Sequence, residues 1–338
     1  MSAILVVGSV AYDDVQTPFE RKRAVLGGAA CYSSIAASLY APVKVVGVVG
    51  EDFAATDIER LARKDIDTSA IERRAGRSFR WSGRYDYDLS AAESLSTELG
   101  VFADWRPRVP ERFASSEYVF LANIDPEIQL EALEQMRRPA VVVLDTMNFW
   151  IDHKRDALER VLAKVDVVSI NEAEARQLCH TFSIIRAARE ILALGPRALL
   201  VKRGEHGATL FTRDGSFWAP AYPLEKIQDP TGAGDAFAGG VIGYLARSGQ
   251  ADDGALRRAT IHGIVCASFA VETFSVDGIE AMTREAAAER YRALRALVAL
   301  EAKALEDEDP FESSEGGGAP APVRGPLPPR LTERVRQP

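Results

Sequence analysis

The sequence predicts an α/β fold in which helices cover both faces of a mostly parallel central sheet. Short runs of Val, Ile and Leu alternate with segments of helical length, and several of these runs end in Gly, Asp or Asn. Strands that are buried on both faces have such continuous apolar runs, and the helices between them are the crossovers of a parallel sheet. The 338 residues, of which 47% are hydrophobic, suffice for one large domain of this class.

The apolar runs predict six strands, at residues 4–7, 43–49, 118–122, 140–145, 165–170 and 198–202. Helices are predicted between and after them, at residues 29–40, 58–64, 128–136, 155–164, 187–194, 233–246, 253–270 and 284–305. Polar side chains follow two of the strands and fit ligand binding and strand-end capping equally well; they are Asn123, Asp125, Asp145 and Asn148.

Two segments depart from this alternation. Residues 77–106 form an insertion, in which residues 78–88 alternate aromatic or apolar side chains with polar ones, the period of an exposed antiparallel ribbon. The insertion is expected to be a lid, a dimer strand or a plain surface hairpin. Residues 306–338 are acidic and then rich in Gly, Pro and Arg, a composition that cannot bury much apolar area. We therefore expect a folded domain at residues 1–305 and a disordered tail.

The charge balance limits the classes of partner. Lys and Arg number 41, and Asp and Glu number 49, so the formal net charge is −8. Such a chain is not expected to bind nucleic acid nonspecifically or to dock on an anionic membrane. The three cysteines are widely spaced and the four histidines lack metal-ligand spacing, which disfavours a disulfide framework and a zinc site. The sequence contains no recognisable signal peptide or membrane-spanning run, so the expected location is the cytoplasm.

The segment Asp229-Pro-Thr-Gly-Ala-Gly-Asp235 is the most informative part of the sequence. Pro230 biases Asp229 to an extended conformation, and a helix with a buried apolar face is expected to begin just after it. Gly232 and Gly234 have no side chains, so the backbone N–H groups at the start of this helix are open to a ligand. A helix N-terminus with unpaired donors and a positive dipole suits phosphate oxygens.

Asp235 would lie at the edge of this anion site. A carboxylate beside phosphates is expected to perform chemistry, and the obvious role is to accept the proton of an attacking hydroxyl. The alternative is a first-turn residue that the helix dipole favours at that place. The flanking glycines, together with Gly239 and Gly240 one turn later, favour the functional interpretation.

The segment resembles the signature of the ribokinase or PfkB-type carbohydrate kinase family. Further resemblances follow in the family's order over roughly residues 3–300, and they are Gly27-Gly28-Ala-Ala30, Val46-Gly-Val-Val-Gly-Glu-Asp-Phe53, Asn171-Glu-Ala-Glu174 and Val201-Lys-Arg-Gly-Glu-His-Gly207. The resemblance implies a three-layer fold with a small β lid, which would explain the ribbon at residues 78–88. It also implies transfer of the γ-phosphate of ATP to a hydroxyl of a sugar or nucleoside.

The resemblance implies roles for residues on the nucleotide side. Asp235 would be the general base, and Asn171 and Glu174 would order Mg²⁺ and phosphate through water. The same Asn–Glu pair also fits a helix capping box, which needs no ligand. The implied anion hole is the backbone of Gly232, Ala233 and Gly234. The other implied nucleotide contacts are Thr231, Lys202, Gly204 and Gly207.

On the acceptor side, the resemblance implies that Asp13 takes paired hydroxyls in two hydrogen bonds. The candidate acceptor contacts are Asp13, Gly27, Gly28, Arg80 and Asn123. The sequence departs from the family pattern at Ala11 and Tyr32, where many members have Asn. Because an aromatic side chain can stack on a ring, Tyr32 favours a nucleoside or another ring-bearing alcohol over ribose or a fructose phosphate.

The sequence therefore predicts a kinase that uses ATP and Mg²⁺ to phosphorylate a small-molecule alcohol, most simply a primary one. It contains neither a P-loop pattern nor a dinucleotide-binding Gly pattern after the first strand. The main alternative is a catalytically silent protein of the same fold that binds a ligand or acts as a sensor. A hydroxymethylpyrimidine or pyridoxal kinase is a third interpretation. A monovalent cation near the anion hole and a homodimer through the lid are left open.

Overall fold

The computed structural model describes residues 2–298, and within that range it has a nine-stranded main sheet, a four-stranded lid sheet and helices on both faces of the main sheet. The strands are β1 (Ile4–Val7), β2 (Ala11–Gln16), β3 (Arg21–Gly27), β4 (Val43–Gly50), β5 (Ile66–Arg74), β6 (Phe79–Tyr85), β7 (Ala92–Glu98), β8 (Tyr118–Leu121), β9 (Val141–Asp145), β10 (Val167–Asn171), β11 (Ala198–Lys202), β12 (Ala208–Thr212) and β13 (Ser216–Ala219). The helices are α1 (Ala29–Ser38), α2 (Ala55–Ala62), α3 (Pro126–Glu134), α4 (Asn148–His153), α5 (Arg155–Leu162), α6 (Glu172–Leu178), α7 (Ile184–Ala193), α8 (Ala233–Ser248), α9 (Asp253–Ala270), α10 (Asp277–Ala281) and α11 (Arg284–Val298). The predicted helix end at 299–305 and the predicted tail at 306–338 lie outside the described residues.

The main sheet has the strand order β13-β12-β11-β10-β9-β8-β1-β4-β5. Neighbours from β11 to β5 pair in parallel, and β12 and β13 form an antiparallel edge. In β1, Ile4 and Val6 belong to one apolar layer while Leu5 and Val7 belong to the other, as the two-residue period of a strand requires. Helices α1, α8 and α9 cover the first layer, and α3, α5 and α7 cover the second. The predicted fold class is confirmed.

The lid sheet has the order β3-β2-β6-β7. Strands β6 and β7 come from the predicted insertion, but β2 and β3 come from residues 11–27, and β2 pairs with β6 in parallel. The prediction that the lid is a single insertion was therefore incomplete. Two acidic residues, Asp13 and Asp14, interrupt β2, and β3 begins with three exposed basic residues. Such runs of charge do not indicate strands.

The end of the insertion is a second correction. Phe102 and Trp105 are buried in the same apolar layer as Leu5 and Val46 of the main sheet. The lid strands thus end at Glu98, and the chain up to residue 106 belongs to the main core. Aromatic residues in the insertion indicate burial, but the sequence does not tell which core they enter.

Several element ends differ from the prediction by a few residues. Helix α3 begins two residues early because the Asp125 side chain accepts a hydrogen bond from the Glu127 N–H, and Pro126 occupies the first turn. Strands β5, β12 and β13 were not predicted. β5 and β13 are partly exposed strands at the two edges of the sheet, whereas β12 is mostly buried and lies between β11 and β13. None of the helices in residues 2–298 has both the length and the apolar character needed to span a bilayer.

Candidate active site at the carboxyl edge of the main sheet

The loop before α8 is an open helix N-terminus. Gly232 is the N-cap residue with a φ of 76°, in the left-handed region that glycine tolerates, and no side chain caps the first backbone N–H groups. Residues 231–235 are partly exposed, whereas residues 236–243 are buried. Asp229 holds the start of the loop in place, because its Oδ1 accepts a hydrogen bond from the Thr231 N–H at 2.8 Å. The Ala233 N–H donates to the Pro230 carbonyl oxygen at 3.2 Å, so the donors left for an anion are the N–H groups of Gly232 and Gly234.

Asp235 lies in the first turn of α8 and is half-buried. Burial raises the pKa of its carboxyl to about 7; Asp145 adds to the rise and Lys202 opposes it. No hydrogen bond from a residue within 2–298 holds this carboxylate. A general base is most effective when its pKa is near the working pH and it is within reach of the substrate. Asp235 thus has the exposure and the proton affinity that the predicted role needs.

Lys202 lies against the same loop. It is the last residue of β11, and its Nζ is 2.9 Å from each carboxylate oxygen of Asp145, the last residue of β9. A Cβ on Gly234 would lie only 3.1 Å from this Nζ, so the ammonium group is in contact with the loop backbone. The ends of two strands thus bring a positive charge to the backbone that was predicted to hold phosphate.

Asp13 is a buried carboxylate on the lid side of the site. Its side chain packs over Gly27, where a Cβ would lie 2.0 Å from Asp13 Oδ2. Burial raises the pKa of Asp13 to about 8, and the charges of Asp229 and Asp235 raise it further, while the Gly28 N–H opposes the rise. These three carboxylates therefore interact through space. The structure brings the predicted residues Asp13, Gly27 and Gly28 to the same region as Asp235.

Tyr32 corrects an expectation about the acceptor. Its side chain is only 1% exposed, and a Cβ on Gly232 would lie 2.3 Å from its ring. The ring is therefore packed beneath the loop before α8 and cannot stack on a ligand, contrary to the prediction. Its hydroxyl is buried and has no hydrogen-bond partner among residues 2–298. A substrate could reach this hydroxyl only through a movement of the residues around it.

Asn171 and Glu174 form the capping box that the sequence allowed. Asn171 Oδ1 accepts a hydrogen bond from the Glu174 N–H at 2.8 Å, and Glu174 Oε2 accepts one from the Asn171 N–H at 3.0 Å. Burial raises the pKa of Glu174 to about 7, while Lys202 opposes the rise. Asn171 lies opposite Lys202 in the register of β10 and β11. The capping box is thus complete without a ligand, and it lies next to Lys202.

The two glycines after β11, Gly204 and Gly207, have different surroundings, so glycine stands at each position for a different reason. Gly207 has a φ of 87°, and a Cβ there would lie 2.1 Å from the Ala219 carbonyl oxygen, so packing against β13 requires glycine. Gly204 has a φ of 56° and no atom within 4 Å of where its Cβ would be. Only Gly204 therefore has open space beside it for a ligand.

Arg80 and Asn123 already have partners within the protein. Arg80 donates to Asp52 Oδ2 at 3.0 Å, and its guanidinium lies 5.3 Å from the centre of the Tyr12 ring. Asn123 Oδ1 accepts a hydrogen bond from Trp150 Nε1 at 3.1 Å. These contacts connect Arg80 of the lid to the turn after β4, and Asn123 to α4.

The sequence did not single out Tyr85, although it lies in the alternating ribbon. Tyr85 is buried at the end of β6, and its hydroxyl is 3.1 Å from Thr231 Oγ1. It packs with Val15 and Phe274 in a small apolar cluster. The lid is thus joined to the loop that precedes α8, so the predicted nucleotide contact Thr231 also has a partner in the lid.

Comparison with known proteins identifies the family to which this chain is similar. The family model described as pfkB family carbohydrate kinase matches residues 1–280. A cytidine kinase of Thermococcus kodakarensis is 30% identical over 254 residues, which cover 73% of this chain and 90% of that protein.

Solved structures share the fold. The nucleoside kinase of Methanocaldococcus jannaschii, described as an archaeal member of the ribokinase family, has a TM-score of 0.70 and 20% identity, covering 87% of this chain and 99% of that one. The aminoimidazole riboside kinase of Salmonella enterica, solved with aminoimidazole riboside and an ATP analogue, also has a TM-score of 0.70 and 20% identity, covering 86% and 99%.

Proposed function

This chain belongs to the pfkB family of carbohydrate kinases, and we propose that it transfers the γ-phosphate of ATP to the primary hydroxyl of a nucleoside, with Asp235 as the general base. The observation that carries the proposal is the position of Asp235. It is a partly exposed carboxylate at the uncapped start of a helix, and it interacts electrostatically with both Lys202 and Asp13. A base, a phosphate-binding backbone and an acceptor-binding carboxylate are thus within reach of one substrate.

The proposed reaction is an in-line displacement at the γ-phosphorus. Asp235 accepts the proton of the acceptor hydroxyl as that oxygen bonds to phosphorus. The bond from phosphorus to the β,γ-bridging oxygen breaks, and ADP leaves. The N–H groups of Gly232 and Gly234, together with Lys202, stabilise the negative charge on the transferring group. The Ala233 N–H can join them once it leaves the Pro230 carbonyl oxygen.

The residues present fit a nucleotide that arrives with Mg²⁺. Asp145, Glu174 and Asp235 interact with a single ammonium group, that of Lys202, so the region holds more negative than positive charge. Within residues 2–298 no three His, Cys, Asp or Glu side chains are arranged to hold a metal ion. This fits a Mg²⁺ held by phosphates and water, with Asn171 and Glu174 ordering the water. The ion would neutralise charge on the β- and γ-phosphates.

A nucleoside is the proposed acceptor, and cytidine is the first to test. The relative from Thermococcus kodakarensis is a cytidine kinase. Ala11 and Tyr32 also stand where many family members have Asn, and the loss of these two polar contacts disfavours simple sugars, although the buried Tyr32 ring does not itself stack on a nucleoside. Asp13 would take two hydroxyls of the ribose. A catalytically silent ligand-binding protein is the alternative, and the intact loop with Asp235 argues against it.

Two finer features belong to the proposal. Asp229 Oδ2 is buried without a hydrogen-bond partner among residues 2–298, which favours a monovalent cation beside the loop. Strands β3 and β7 are the open edges of the lid sheet, which suits a homodimer through the lid.

The reaction is tested by coupling ADP formation to a screen of nucleosides, pentoses, hexoses and inositols. With the best acceptor, Asp235→Asn is expected to lower kcat by ~10²–10⁴, the usual contribution of a general base, and to leave ATP binding intact. Asp253→Asn is the matched control, because Asp253 is a first-turn acidic residue of the next helix, and it should keep kcat within about twofold of wild type. Near-normal turnover by Asp235→Asn would refute the assignment.

A further inference from the structure

Asp145 and Lys202 form a buried ion pair next to the proposed base. Their side chains are 3% and 19% exposed, and among the ion pairs within residues 2–298 this is the least exposed. Two charges buried together interact strongly, and removal of either leaves the other without compensation. Asp145 is not a contact for ATP or acceptor in the proposed reaction, so the pair needs another explanation.

The carboxylate of Asp145 is the fixed partner of the two. Its Oδ1 accepts a hydrogen bond from the Thr146 N–H at 2.9 Å. Its backbone carbonyl oxygen accepts another from Nε2 of the fully buried Gln129 at 3.0 Å. Lys202, in contrast, has a flexible four-carbon side chain whose ammonium takes its position from the charges around it. Asp145 therefore determines where the ammonium lies.

Two other carboxylates act on the Lys202 ammonium, those of Glu174 and Asp235. Glu174 already accepts hydrogen bonds from the backbone and side-chain N–H groups of Asn171. Asp235 has no hydrogen-bond donor among the described residues. An ammonium released from Asp145 is thus expected to turn to Asp235. Bound there, it would lower the basicity of that carboxylate and block the approach of an acceptor hydroxyl.

We propose that Asp145 is a positioning residue that holds the Lys202 ammonium against Gly234 and away from Asp235. One strand end thereby keeps a positive charge where the transferring phosphate needs it and leaves the general base free. The inference rests on the proposed function, since it assigns a purpose to the pair within that reaction.

A double-mutant cycle tests the inference. Asp145→Asn keeps the shape and removes the charge, and Lys202→Met removes the ammonium. If Asp145 acts through Lys202, Asp145→Asn should lower kcat more than about tenfold in the wild-type background and less than about twofold in the Lys202→Met background. Asp145→Glu, which keeps the charge, should retain more of kcat than Asp145→Asn. Acceptor KM should change less than kcat.

Glu280→Gln is the matched control, because Glu280 forms a partly buried ion pair with Arg60 and should leave kcat within about twofold. If Asp145→Asn does not fold, kcat of Lys202→Met is compared with kcat of the double variant, in which neither charge of the pair remains. The two values should then differ by less than about twofold. Equal losses from Asp145→Asn in both backgrounds, or no loss in the active wild-type background, would overturn the inference alone. No turnover by the wild-type protein with any acceptor would refute the proposed function, and the inference with it.

Discussion

At the scale of single residues, burial sets the protonation of the site. Asp235 and Asp13 have pKa values raised to about 7 and about 8, in both cases chiefly by burial. A buried carboxylate loses hydration that favours its ionised form, and neighbouring negative charges add to the effect. The raised pKa makes Asp235 a stronger base at the place where the acceptor hydroxyl is proposed to lose its proton.

The first prediction concerns pH. Only ionised Asp235 can accept a proton, so kcat/KM for the acceptor should fall about tenfold per pH unit below about pH 7. A pH–rate profile between pH 5.5 and 9 measures this limb. Asp13→Asn should weaken acceptor binding but leave the midpoint near pH 7, because Asp13, with a pKa of about 8, is mainly uncharged where Asp235 titrates. A profile that stays flat below pH 7 would contradict the role of Asp235.

The second prediction concerns Tyr32. Burial raises the pKa of its hydroxyl, and Asp13 adds to the rise, so the group keeps its proton and can donate. Because the hydroxyl has no partner among residues 2–298, Tyr32→Phe should not destabilise the protein. If the hydroxyl binds the acceptor, KM for the acceptor should rise about 2- to 10-fold, the factor of one net hydrogen bond, with KM for ATP unchanged. Steady-state kinetics and denaturant unfolding measure both, and an unchanged acceptor KM would exclude the contact.

At the scale of elements, α8 joins the catalytic loop to the core. Its first turn carries Asp235, and its body packs against α1 and α9. Behind the site these helices meet at His262 of α9, which is stacked between Tyr244 at 4.4 Å and Tyr291 at 4.6 Å. The hydroxyl of Tyr40, just after α1, lies 3.1 Å from His262 Nδ1. The stack thus joins α8, whose N-terminus forms part of the site, to α9, α11 and the end of α1.

This stack predicts acid sensitivity. Burial lowers the pKa of His262 to about 4, while an unfolded chain has a histidine pKa near ~6.5. The unfolded state therefore binds more protons between these values, and stability falls as pH drops from about 6.5 to about 4, by up to ~3 kcal/mol. His262→Phe should flatten the pH dependence of the unfolding free energy in that window. His206→Phe is the control, since His206 is exposed, and an unchanged slope in His262→Phe would contradict the prediction.

At the scale of the whole molecule, the site lies where distant parts of the chain meet. The lid combines residues 11–27 with residues 79–98, and Tyr85 joins it to Thr231. The ends of β9, β10 and β11 supply Asp145, Asn171 and Lys202 from three separate crossovers. Ligands of open parallel sheets bind outside the carboxyl ends of the strands. The fold thus brings charges together that are far apart in the sequence.

The sequence by itself determined the fold class and the start of α8, and it singled out Asp235 as a carboxylate in the first turn of that helix. These follow from local signals, namely apolar runs, a Pro followed by glycines, and an acidic residue in the first helical turn. Their physical causes act within a few residues of the chain, so they can be recognised without the fold. The capping box at Asn171 and Glu174 and the cap at Asp125 are local in the same sense.

Only the tertiary structure decided which side chains share a charge environment. Asp145 and Lys202 are separated by 57 positions, and Tyr32 and Gly232 by a far longer stretch of chain, so no periodicity relates them. Tyr32 was expected to stack on a substrate because the sequence shows an aromatic residue but not the residue that packs against it. In the structure its ring is packed against Gly232. Burial and the distances between charges set the pKa values of the site, and burial decides which hydroxyl groups lack a hydrogen-bond partner. Both properties depend on contacts between elements that are far apart in the sequence.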